Sequence, residues 1–96
     1  MRVEFHPEAM AEFRAAAEYY ETQHDGLGSR FINAVEATVA RIVEAPSSWR
    51  IVEDDIRRCL TKVFPYAVLF SIEADYILIV AVMHSRREPG YWRNRV

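Results

Sequence analysis

The sequence predicts an α+β domain: a helical hairpin packed on a mainly antiparallel sheet, in the order β-α-α-β-β-β, ending in a basic tail. Three observations lead there. Two segments with helical apolar spacing lie back to back, joined only by a glycine-containing turn around Asp25 to Gly28. Pro46 closes the second, since the residue before a proline avoids the α region. Everything after Pro46 reads as strands separated by short turns, with the most apolar run, Tyr76 to Met83, coming last. One block of helix beside one block of strand is the α+β pattern.

Arg2-Val3-Glu4-Phe5 alternates and forms a first strand. His6-Pro7 opens the first helix, because proline suits the first helical position, and Glu8 places an acid where the macrodipole favours one. Met10, Phe13, Ala17 and Tyr20 make its apolar face; Glu12, Arg14, Glu18 and Glu21 fall largely on the other side. Phe31, Val35, Thr38 and Ile42 make the stripe of the second helix. Ile32, Val39 and Val43 widen it enough to meet both the first helix and a sheet.

Residues 46–55 form a loop with room for a short strand at 49–52. Strands follow over 56–63 and 66–72, then the turn Glu73-Ala74-Asp75. The run 76–83 is apolar throughout and suits a central strand covered on both faces.

The chain has 96 residues, one domain's worth, with a formal charge of −2. A chain of that size buries roughly 60% of its unfolded surface, so the core is thin. Half the residues are hydrophobic and 27% charged, which excludes a disordered chain. No apolar run approaches the ~20 residues that span a bilayer, and the N-terminus shows no signal peptide, so a cytoplasmic protein without membrane contact is expected. Cys59 stands alone, which excludes an internal disulfide and a multi-thiolate metal site; a buried inert thiol is expected. No glycine-rich phosphate loop, metal spacing or cofactor signature is present.

Charge is unevenly divided. Residues 1–48 carry eight acids and four arginines, whereas residues 49–96 carry eight basic residues and six acids. The tail His84-Ser85-Arg86-Arg87-Glu88-Pro89-Gly90-Tyr91-Trp92-Arg93-Asn94-Arg95-Val96 has four arginines against one acid. Unpaired guanidiniums are costly to desolvate, so this segment is expected at the surface, where arginines beside aromatic rings suit phosphates, bases or an acidic protein. His84 can equally cap the last strand through its backbone, and Tyr91 and Trp92 can fold back over the sheet edge. Arg57 and Arg58 must point to opposite faces of their strand. The acids Glu53, Asp54 and Asp55 are candidates to pair with the tail.

Several stretches, in this order, resemble the RelE/ParE superfamily, the small toxins of bacterial type II toxin–antitoxin modules: Phe5-His6-Pro7-Glu8-Ala9, Tyr19-Tyr20, Gly26-Leu27-Gly28 with Arg30-Phe31, Arg57-Arg58, Phe64-Pro65-Tyr66, and Val82 with His84, Arg86-Arg87, Pro89 and Tyr91-Trp92. The resemblance implies a toxin neutralised by a cognate antitoxin in a hetero-oligomer. It also implies one of two targets: DNA gyrase, without nuclease chemistry, or mRNA in the ribosome. The nuclease alternative would use Arg58, Arg86 and Arg87 on phosphate and His84 or Tyr91 on protons. RelE-like nucleases carry an arginine where this chain has Ala67, and Lys62 is the only lysine. Those departures favour the gyrase-type reading; a module that has lost toxicity and only binds antitoxin is the third possibility. The pleat leaves one row of the fourth strand facing away from the helices, either Tyr66, Val68, Phe70 and Ile72 or Ala67 and Leu69. The antitoxin surface is expected at Tyr66, Val68 and Phe70, joined by Trp92, Arg93 and Arg95 of the tail.

Overall fold

A computed structural model describes all 96 residues. Strand β1 (Arg2–Phe5) leads into helix α1 (Pro7–Gln23) and helix α2 (Leu27–Glu44). Strands β2 (Arg50–Glu53), β3 (Ile56–Leu60), β4 (Tyr66–Ile72) and β5 (Tyr76–His84) follow. The five strands form one sheet in the order β1-β5-β4-β3-β2, with β1 parallel to β5 and the other pairs antiparallel. The optional strand near 49–52 is therefore real, and β3 ends at Leu60 rather than Val63.

Local chemistry explains the hairpin. His6 Nδ1 accepts the Glu8 N–H at 3.1 Å, capping α1. At the far end, the Glu21 carboxylate accepts the Gly26 and Gly28 N–H groups, both at 3.0 Å, tying the end of α1 to the start of α2. The helices touch at Gly28, where a Cβ would lie 2.7 Å from the Ala17 carbonyl oxygen. Between helices and sheet the core contains Phe31, Val35, Ile42, Cys59, Val68, Phe70, Ile77 and Ile79. Aromatic rings run through it: Phe5 stacks on Phe13, and Phe31 meets Tyr20, Phe64 and Tyr66.

The row Tyr66, Val68 and Phe70 faces the helices, with Val68 and Phe70 completely buried. This corrects the expectation that Val68 and Phe70 form a partner surface; Tyr66, at the strand's start, is half-buried and lines two surface hollows. The reason is volume: the wide stripe of α2 needs the bulky row opposite it. The smaller row, Ala67 and Leu69, faces away, yet it is not bare either. A second cluster of Ile56, Ala67, Leu69, Val80, Ala81 and Trp92 covers it. Beta-5 is thus covered on both faces, as its unbroken apolar run implied. A bulge at Val80 breaks its alternation, since Leu69 pairs with Ala81 but Phe70 with Ile79.

Candidate functional site

The tail does not project into solvent. Trp92 is only 4% exposed and packs on the helix-free face of the sheet. Beyond it, the Arg95 side chain is 7% exposed and meets Glu12 of α1, itself 16% exposed. Arg95 Nη1 and Nη2 each donate to one Glu12 oxygen at 2.9 Å. The same carboxylate accepts the Tyr91 hydroxyl at 2.6 Å and the Val82 N–H at 3.1 Å. Arg95 also donates to the Val80 carbonyl at 3.1 Å, and its Nε lies 3.5 Å from the Glu8 carboxylate.

This clasp has a topological origin. Beta-1 ends at Phe5, opposite Ile79, so β5 continues past its parallel neighbour. Val80 and Val82 then present a carbonyl and an N–H to an edge with no strand, and buried backbone groups must find partners. Arg95 and Glu12 supply them. A guanidinium can be buried here because a carboxylate meets it through two hydrogen bonds. The expectation that no arginine of this segment is buried therefore holds only for unpaired ones. Arg93 is exposed and forms a two-pronged pair with Glu53 at 2.6 Å, as the acid run suggested.

The clasp shifts its own titrations. Burial pushes the Glu12 carboxyl upward, but the hydrogen bonds from Arg95, Tyr91 and Val82 outweigh it and hold the group below its ordinary value. Burial, together with the Glu12 carboxylate beside it, raises the Tyr91 phenol far above the usual tyrosine range. Burial also raises the Cys59 thiol, so that buried side chain is a poor nucleophile.

Among the nuclease candidates, His84, Arg87 and Tyr91 line one cleft of about 310 Å³ against α1. Within it His84 Nδ1 accepts the Arg86 N–H at 3.0 Å, which makes it a cap on the strand end. Arg87 stacks over the Tyr91 ring at 3.8 Å. Arg86 is exposed. Arg58 lies on the helix-free face, apart from that cleft, and lines two hollows with Met83 and Ser85. Arg57 turns the other way and donates to the Ser47 and Trp49 carbonyls. The five candidates therefore do not converge on one site: Arg87 lines both the cleft of His84 and Tyr91 and one hollow of Arg58, and no single cavity holds all of them. No cluster of three or more His, Cys, Asp or Glu side chains could hold a metal ion. No helix is long and apolar enough to cross a membrane.

Sequence reasoning missed Glu12, which it assigned to the polar side of α1. The available signal was the spacing Ala9, Glu12, Ala16: two buried alanines flank the acid on one face, leaving room for another segment to approach.

Two helices on a five-stranded mixed sheet, with a basic tail drawn back across it, define a toxin of the RelE/ParE type. The profile of the ParE toxin of type II toxin–antitoxin systems, parDE, matches residues 3–89, and the chain belongs to that family. Among solved structures the fold is similar to a chain of the chromosomal ParDE toxin–antitoxin system from P. aeruginosa. The TM-score is 0.75 at 16% identity, over 88% of this chain and 95% of that one. No curated protein sequence matches this chain.

Proposed function

We propose that this toxin acts in the cytoplasm on a protein target of DNA gyrase type, without nuclease chemistry of its own, and is neutralised by a cognate antitoxin. The supporting observation is the state of the groups that cleavage would need. Tyr91, the candidate proton carrier, donates to Glu12 and has its phenol pushed far upward. Its neighbour Arg95 is spent on the same carboxylate. His84 has one ring nitrogen committed to backbone. Ala67 offers no cation at its place on the sheet, and Arg58 meets Arg87 only in a separate hollow that neither His84 nor Tyr91 lines. A phosphorane in the cleft would find Arg87 alone as a phosphate ligand, where stabilisation of this kind needs several converging donors.

The nuclease reading keeps two observations in its favour: His84, Arg87 and Tyr91 share a cleft, and Arg58 and Arg87 share a hollow on the other face. One experiment separates the two. The purified chain is added to DNA gyrase in a supercoiling assay and, in parallel, to translating ribosomes with mapping of transcript 5′ ends. Dose-dependent loss of supercoiling with intact transcripts is expected. Codon-phased cuts with unaffected gyrase would overturn the proposal.

A further inference from the structure

The helix-free face holds a feature that neither the clasp nor the tail explains. Two hollows, about 260 and 300 Å³, meet at Arg58, which with Met83 and Ser85 belongs to both. Arg58 has no acid within ion-pair distance and no hydrogen-bond partner of its own. The one acid in either hollow, Glu53, is already held by Arg93. A half-buried cation without a partner, in a chain of net charge −2, is an open position for a carboxylate.

The rim is apolar and exposed. Leu60, which lines one hollow, is 58% exposed, Val52, which lines the other, is exposed too, and Val63, in the turn between the lining residues Thr61 and Phe64, is 89% exposed. Val63 is held there under strain. Its φ is +73°, a region that β-branched residues avoid, and the Phe64 N–H donates to the Lys62 carbonyl at 2.8 Å across it. The turn is rigidly built, because the buried Thr61 hydroxyl bonds to the Phe64 and Tyr66 carbonyls. Nothing in the core needs Val63 in this position. Strain kept at an exposed apolar residue, in the turn that supplies Thr61 and Phe64 to the hollow's wall, points to a surface made for contact.

The geometry points to this groove as the docking site of an acidic–apolar segment of the antitoxin, with a carboxylate on Arg58 and flanking apolar side chains against Leu60 and Val63. This rests on the reading that an antitoxin binds the chain. A protein segment fits better than nucleic acid, since the groove's two free cations, Arg58 and Arg87, stand among apolar walls and do not make the extended cationic track that a phosphate backbone needs.

The test uses the full chain and the antitoxin encoded beside its gene, with affinities measured for wild type, Arg58→Glu, Leu60→Asp, Val63→Asn and the control Arg30→Glu. Arg58→Glu and Leu60→Asp are each expected to weaken binding at least about tenfold, with Arg30→Glu near wild type. Val63→Asn should bind more weakly yet melt no lower than wild type, because asparagine tolerates positive φ. That opposite pair of readouts excludes simple misfolding. If wild type binds but the groove variants bind equally well, or the loss appears only at Arg30, the docking site is wrong while the antitoxin reading stands. If wild type binds no antitoxin, both fall. A single-stranded RNA oligomer bound by wild type and lost in Arg58→Glu would replace the protein occupant with nucleic acid.

Discussion

Replacing Glu12 with glutamine tests whether the clasp fastens the tail. The carboxylate accepts four hydrogen bonds, two at each oxygen, from Arg95, Tyr91 and Val82. An amide turns one oxygen into a donor, so one pair of donors then faces an N–H, and the buried Arg95 keeps only the exposed Glu8 carboxylate, 3.5 Å from its Nε, as a counter-charge. Breaking a fully buried pair costs about 3–5 kcal/mol; discounting for the water that reaches Glu12 gives about 3 kcal/mol here. For a domain of this size that corresponds to a fall in Tm of roughly 12–24 °C.

Urea unfolding followed by circular dichroism measures this directly, with the slope checked for constancy. A second substitution, Arg95→Met, removes the orphaned charge, so the double variant should recover part of the loss. The pH dependence has a definite sign. Glu12 is held below its ordinary value of 4.5, so its contribution is complete above that pH and fades as pH falls through the depressed value. The gap between wild type and Glu12→Gln should therefore be constant near neutrality and narrow in acid. A Glu12→Gln protein within about 0.5 kcal/mol of wild type, the ordinary range for a surface substitution, would refute the clasp.

Other outcomes follow from the same geometry. Trp92→Ala should cost about 3 kcal/mol and raise binding of a hydrophobic dye, because it uncovers Ala67, Leu69 and Ala81. Tyr91→Phe should cost roughly 1.5 kcal/mol in urea unfolding through the lost bond to Glu12, and leave gyrase inhibition in the supercoiling assay intact if that ring is structural. Gly28→Val should destabilise by about 1–3 kcal/mol, since its side chain meets the Ala17 carbonyl and Glu21; a thermal melt reads it. Arg93→Ala removes only an exposed ion pair, and no change in Tm is expected.

Much of the fold follows from local rules. Pro7, Pro46 and the glycine turn punctuate the helices, the apolar periods of Phe13 to Tyr20 and Phe31 to Ile42 give their faces, and the strands from Tyr66 to Met83 read from side-chain type alone. Those signals act over a few residues, so a sequence carries them intact. The opposed directions of Arg57 and Arg58, the inert Cys59 and the capping roles of His6 and His84 follow from the same local logic.

Which row of β4 would meet the helices was not local information. Either row satisfies the pleat, and only the packing volume under α2 selects Val68 and Phe70. The clasp is further out of reach. Glu12 and Arg95 lie 83 residues apart, and they meet because β1 is shorter than β5 and leaves an edge to be capped. Composition assigned the arginines of the tail to the surface by the cost of burying a lone charge. The tertiary structure buried one of them by bringing a carboxylate to it, and only three-dimensional proximity decides whether a charge is alone.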